Sequence, residues 1–204
     1  MKILLEQVGK RYLRHWVFKD INLTLEAPGS VALLGPNGSG KSTLLRIIAG
    51  MQATTKGKVT YWQEEKEIPA ANWFQHLALC APGLELPEEL TLREFLDFHC
   101  NFRPPLAGLD KPAIIALTGL DQAQDKALAD FSSGMKQRVK LAQAIMCESN
   151  VLMLDEPCTN LDDTGVAQYR EWIDRFAAGR LVLVASNDPR EYGFCDQQVA
   201  LKIS

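Results

Sequence analysis

Apolar and polar residues alternate along Ile21-Asn22-Leu23-Thr24-Leu25, and a period of two sends successive side chains to opposite faces, so residues 20–25 are a predicted strand. Residues 2–8 also read as a strand. Ser30–Leu34 is a short apolar run that feeds a glycine-rich loop and reads as a buried strand. Residues 42–49 switch to a helical period, with Leu44, Leu45 and Ile48 on one side. Gly57–Trp62 alternates again, and residues 72–81 hold another apolar strand candidate. The pattern then turns helical over Leu92–Phe102, Pro112–Leu117 and Ser133–Cys147, broken by Pro104-Pro105 and Gly119. A strand at 151–154, a helix at 163–177, a strand at 181–185 and a last strand near 198–203 complete the chain. Strands that alternate with helices predict an α/β fold with a mainly parallel sheet. The helix-rich stretch, roughly 84–137, reads as a lobe inserted into a core of 1–83 and 138–204, within one domain spanning 1–204.

Composition narrows the possibilities. The 204 residues are 47% apolar and 23% charged, with a net charge of −3. That balance fits an ordinary globular chain and gives no global case for nucleic-acid binding. No apolar run approaches the ~18–20 residues that span a bilayer, so direct membrane insertion is not expected. The N-terminal MKILLEQVGK is broken by Glu6 and is unlike a signal peptide. Cys80, Cys100, Cys147, Cys158 and Cys195 are scattered, form no C-x-x-C pair, and read as thiols in a reducing cytosol. Any role at a membrane would then need a separate membrane chain.

The glycine loop carries the first chemistry. Gly35-Pro36-Asn37-Gly38-Ser39-Gly40-Lys41-Ser42 matches G-x-x-x-x-G-K-[ST] between a predicted strand and helix. Gly38 and Gly40 let the backbone curl so that successive N–H groups face phosphate oxygens. The helix N-terminus adds partial positive charge. Lys41 is placed for the β- and γ-phosphates, Ser42 for Mg²⁺ and Thr43 for the α-phosphate. Further on, the buried run Val151–Leu154 ends in Asp155-Glu156. Asp155 would orient Mg²⁺, and Glu156 would act as general base on the attacking water. Between these lies Phe131-Ser132-Ser133-Gly134-Met135, which opens into a basic helix with Gln137 and Arg138. By itself it is a helix N-cap and an anion site.

In this order and spacing, the three motifs resemble the ATP-binding cassette (ABC) family, the ATPases that drive membrane transporters, in its short single-cassette form. The resemblance implies a P-loop NTPase fold with a RecA-like core, N-terminal antiparallel β elements and an inserted helical lobe. It implies ATP and Mg²⁺ as cofactors. The turn at 131–135 then corresponds to the family's L-S-G-G-Q signature, with Ser133 replacing a glycine and Met135 the glutamine. Ser132, Ser133 and Gly134 would hold the γ-phosphate of a second cassette, so each chain would carry halves of two sites. Asn160-Leu161-Asp162 resembles the loop that crosses between cassettes, and Asp162 is equally a candidate N-cap for the helix after it. Tyr12 stands at the family's adenine-stacking position, with Trp16 as its rival.

Two groups expected in the family are absent. Ten positions before Leu92, where a glutamine is usual, the chain has Pro82. The usual switch histidine is replaced by Asn187, since the only histidines are His15, His76 and His99. Asn187 can donate a hydrogen bond to a γ-phosphate but cannot carry a proton. The expected function is ATP binding and hydrolysis by a cytoplasmic subunit, peripheral to a membrane through a permease partner. The docking groove is expected near Trp73–Pro82 and Glu88–Phe98. The alternative is a non-transport, ATP-gated protein clamp with weak hydrolysis. Translation or repair cassettes fit poorly, because the chain has one phosphate loop and no heptads.

Overall fold

β1 (Lys2–Tyr12) and β2 (His15–Glu26) form a long antiparallel ribbon, and β1 is also paired with β4 (Lys56–Gln63). A computed structural model describes residues 1–202. Both ribbon strands run well beyond the predicted 2–8 and 20–25. The reason is an irregularity at Gln7, whose φ is 50° and whose N–H donates to Asn22 Oδ1 at 2.9 Å. The register shifts between Leu5 and Val8, so the inward face resumes out of phase. Past it, Arg11 pairs with Trp16 and Tyr12 with His15, where charged and aromatic residues obscure any alternation. β5 (Lys66–Ile68) completes a sheet of order β2-β1-β4-β5.

The second sheet has the order β6-β7-β8-β3-β9, with β3 (Gly29–Leu34), β6 (Leu77–Cys80), β7 (Val151–Asp155), β8 (Leu181–Ala185) and β9 (Gln197–Ala200). β7, β8, β3 and β9 are parallel. Every residue of β7 and β8 is buried, which explains their unbroken apolar runs. β9 covers part of the expected strand near 198–203, and residue 203 lies outside the described residues. α1 (Lys41–Ile48) follows β3, one residue ahead of the predicted 42–49.

The strand candidate at 72–81 is half correct. Ala70–His76 is a 3-10 helix, and only Leu77–Cys80 is extended. Trp73 is the cause. It is fully buried, its ring stacks on Tyr61 with centroids 4.1 Å apart, and its Nε1 donates to Ile48 O at 2.9 Å. Ile48 is the last residue of α1, so its carbonyl has no partner within the helix. Trp73 therefore closes the core over that helix end and is drawn out of a strand.

The described residues fall into two compact units. The first is Met1–Leu79, Ser149–Glu156 and the chain from Gly179 onward. The second is Cys80–Glu148 with Pro157–Ala178. The second thus extends beyond 84–137. It holds α2 (Leu92–Phe102), α3 (Lys111–Thr118), α4 (Ser133–Ile145) and α5 (Asp163–Phe176), because α4 packs against the other three. Each start has a side-chain cap: Thr91 with Glu94 in a capping box, then Asp110, Ser132 and Asp162.

Trp73→Phe keeps the aromatic face and removes the N–H. It is expected to lower unfolding stability by ~1–3 kcal/mol, whereas Trp73→Ala is expected to cost about 3–5 kcal/mol. Urea denaturation with an unchanged slope would measure both; equal losses would refute the separate value of the hydrogen bond.

Candidate functional site

In the first unit, the loop Gly35–Gly40 joins β3 to α1. The α1 N-cap is Gly40, with φ 95° and no side chain to cap the helix. A Cβ at Gly40 would lie 2.5 Å from Val17 Cγ1 and 2.8 Å from Phe18 Cδ1, so only glycine fits. The first N–H groups of α1 are thereby left to a ligand rather than to a capping oxygen. Lys41 is only 6% exposed. Its Nζ donates to Gly35 O at 2.7 Å and to Pro36 O at 3.4 Å, holding an ammonium at the loop's centre. Ser39 Oγ is buried without a hydrogen-bond partner among the described residues.

The next side chain, Ser42, donates to Asp155 Oδ1 at 2.8 Å. Asp155 closes β7 and is 3% exposed. Burial raises its carboxyl above the ordinary range, against the Ser42 hydrogen bond that lowers it; Glu156 nearby raises it further. Glu156 is exposed, with φ 46°, and its N–H donates to Ala185 O at 2.9 Å. A non-glycine residue in this left-handed region is strained, and the strain coincides with a carboxylate at a strand tip. Glu156 and the loop open on one cleft of about 340 Å³, lined by Tyr12, Val17, Asn37, Gly38, Gly40, Lys41, Ser42, Thr43 and Glu156, with Asp155 reached through Ser42.

Several of the sequence-selected residues are not part of this lining. Gly35 is partly buried, Pro36 exposed and Ser39 buried, and Pro36 O accepts the Ser39 N–H at 3.0 Å. Asn187 follows β8, donates from Nδ2 to Asn37 Oδ1 at 3.2 Å and accepts the Gly35 N–H at 3.4 Å. Its amide thus braces the loop. Of the two aromatic rivals, Tyr12 lines the cleft and is 49% exposed. Its hydroxyl accepts from Gln52 Nε2. Trp16 instead has Arg11 and Lys19 against its ring. Val17 and Gln52 escaped the sequence reading. Val17 lies in the part of β2 that alternation did not reveal, and nothing in the sequence connects Gln52 with Tyr12.

The second unit holds the remaining candidates. Ser132 Oγ accepts the Met135 N–H at 3.2 Å as the α4 N-cap, and Ser133 is the first, exposed residue of that helix. Asp162 caps α5 through the Gly165 N–H at 2.8 Å. Gly134 faces the loop before α5, where a Cβ would come within 3.0 Å of Asn160 O. Pro82 is exposed, just beyond β6, where the Leu84 N–H donates to Ala81 O at 3.1 Å.

Residues 18–159 match the family model described as ABC transporter. The chain belongs to the ABC transporter family. Among curated relatives of this ABC chain, the sulfate/thiosulfate import ATP-binding protein CysA of Mesorhizobium japonicum is 32% identical over 94% of the chain and 58% of the relative. The uncharacterized ABC transporter ATP-binding protein YdbJ of Bacillus subtilis is 31% identical over 97% of the chain and 65% of the relative. The chain spans 50% to 58% of the length of the sulfate/thiosulfate relatives. Among solved structures, the post-hydrolysis dimer of the ATP-binding cassette MJ0796 with ADP and Pi superposes with a TM-score of 0.84. It has 21% identity, with 98% of this chain and 94% of that one covered. A putative ABC transporter ATP-binding protein from Pyrococcus furiosus gives 0.79, at 22% identity and 98% of both chains. The ABC fold is thus shown: an α/β, RecA-like core with antiparallel β elements.

The residues present in the ABC chain fit ATP and Mg²⁺. The uncapped α1 terminus and Lys41 suit phosphate oxygens, and the orphaned Ser39 hydroxyl lies within the same loop. No group of three or more His, Cys, Asp or Glu among the described residues could hold a metal alone. Ser42 and Asp155 supply two hard oxygen atoms, which suits a cation that completes its shell with water and phosphate.

Asp155 carries a testable cost. A carboxyl raised on folding keeps a proton that the unfolded chain has lost. Stability therefore falls as pH rises from the ordinary aspartate range through the folded value, and stays lower at neutral pH. Asp155→Asn is expected to raise the melting temperature of the nucleotide-free protein near neutral pH, with a smaller gain in mild acid, while Mg²⁺-dependent nucleotide binding is lost. Thermal scans at two pH values would check it; a variant less stable at neutral pH would contradict it.

Proposed function

We propose that the chain is the ATP-hydrolysing subunit of an ABC transporter, working as a pair of cassettes on a separate membrane permease. The observation that carries this reading is the convergence of Lys41, Ser42 and Glu156 on one cleft, with Asp155 hydrogen-bonded to Ser42 and the first turn of α1 left without a side-chain cap. Bound MgATP supplies an electrophilic γ-phosphoryl group and a charge to be neutralised. Lys41 Nζ exchanges loop carbonyls for phosphate oxygens. Ser42 and Asp155 hold the cation. Glu156 accepts a proton from the attacking water, and Asn187 donates a hydrogen bond toward the γ-phosphate. Tyr12 offers its exposed face to the adenine.

Ser132, Ser133 and Gly134 complete the site of a second cassette, and Asn160-Leu161-Asp162 forms the loop that meets it. The dimeric MJ0796 cassette supports this pairing by its fold. Nucleotide bound between two copies favours the closed pair by mass action, and its cleavage releases them. No helix among the described residues is long and apolar enough to cross a membrane. As a permease-bound subunit, the chain would sit on the cytoplasmic face. The CysA relatives are named for sulfate/thiosulfate import, which supports transport as the class of work without fixing the cargo. Pro82 and Asn187 favour a second reading, an ATP-gated clamp with slow turnover. Affinity purification from detergent-solubilised membranes separates the two: a transporter subunit brings down a polytopic membrane protein, and recovery only as a soluble species counts against transport.

Glu156→Gln is expected to reduce ATP turnover by about 10²-fold or more, retain ATP binding and trap a dimer in light scattering. Wild-type turnover in this variant would remove Glu156 from the mechanism, and a monomer with ATP would reject the pairing. Asn187→Ala is expected to slow turnover more than it weakens ATP binding, measured by steady-state kinetics beside calorimetry. An unchanged rate would leave Asn187 as a brace of the loop alone.

A further inference from the structure

The loop Pro157–Asp162, in the second unit, is held in an unusual shape. Asn160 has φ 66°, the Leu161 N–H donates to Cys158 O at 3.0 Å, and Asp162 is committed to the α5 cap. Two features of α4 meet this loop. Gln137 is 7% exposed, and its Nε2 donates to Pro157 O at 2.6 Å. One turn earlier, Gly134 comes so close to Asn160 O that a Cβ would sit 3.0 Å from it. Residues three apart share a helix face, so both contacts come from one stripe of α4.

Burying an amide costs desolvation, and ordering a glutamine costs rotamer freedom. Packing alone would be served more cheaply by leucine or methionine. What a glutamine adds is a donor, and the donor is spent on a backbone carbonyl at the start of the loop. The other nearby partner, Cys80 Sγ at 3.9 Å, is a weak acceptor. The contact at Gly134 explains a second feature. In the absence of a side chain there, the signature turn and the loop can lie against each other.

We propose that Gln137 is a positioning residue that binds the Pro157–Asp162 loop to the Ser132–Gly134 turn, so that the two move as one body. Its catalytic consequence rests on the reading above, in which that turn meets the nucleotide of a second copy. Engagement of the turn then sets the loop at the same moment, and one closure presents both. Gln137 thus acts through the loop that it holds.

The test uses the full chain with Gln137→Met, which preserves volume without a donor, and Gln137→Glu, which keeps the shape and sets an acceptor against the carbonyl. Hydrogen exchange is read first, without nucleotide. The amides of Cys158–Asp162 are expected to exchange about fivefold faster in both variants, the effect of one lost hydrogen bond, with Leu152–Asp155 unchanged. ATP turnover is expected to fall about tenfold with KM for ATP within about twofold, the pattern of a lost transition-state arrangement. Adding Gly134→Ala to Gln137→Met should cost no more than the worse single change, because both act through one loop. Unchanged exchange in the loop, or equally faster exchange in β7, would overturn the anchor. Faster loop exchange with wild-type turnover would overturn the positioning role. A wild type that hydrolyses no ATP would reject the ATPase reading and leave the anchor to be judged by exchange alone.

Discussion

Leu33 and Asp155 are both paired with Ala185 across the parallel strands, which brings the ends of β3, β7 and β8 level at one edge of the sheet. The register follows from burial: β7 and β8 are enclosed on both faces, and a slip by one residue would reverse the facing of every side chain. From that edge emerge the glycine loop, the Asp155-Glu156 pair and Asn187. Their mutual distances are therefore fixed by sheet hydrogen bonds rather than by the loops themselves. A lysine, a serine and a glutamate drawn from separate stretches of chain can then share one cleft, with Asp155 held behind the serine.

The same arrangement puts cost where the chemistry is. Asp155 is buried, which raises its carboxyl pKa; Glu156 takes a left-handed backbone conformation; Ser39 keeps a hydroxyl without a partner among the described residues. Each would be unfavourable in a part of the fold concerned only with stability. The rest of the first unit offsets them with an apolar core closed by Trp73 over the last turn of α1.

Much of this was legible in the sequence because the signals were local. The phosphate loop is one contiguous string whose glycines, lysine and serine have positions set by the turn itself. Val151–Leu154 and Leu181–Ala185 announce buried strands by unbroken apolar runs. What the sequence concealed depended on distant partners. The bulge at Gln7 broke the alternation that would have revealed the full length of β1. Trp73 resembled a strand residue until its indole was seen to serve the carbonyl of Ile48. The second unit's extent was hidden as well, since α4 gains its place by packing on α2 and α3, and α5 by packing on α4. Val17 and Gln52 were missed for the same reason: their roles lie in which residue stands opposite them.

Lys41 adds a consequence for timing. Its ammonium already rests on Gly35 O and Pro36 O, so the loop holds its shape by an internal cation. In the proposed reading, nucleotide would exchange these acceptors for phosphate oxygens. A loop already held by its own cation would then need little folding to receive it, and the ordering cost would be met before the ligand arrives.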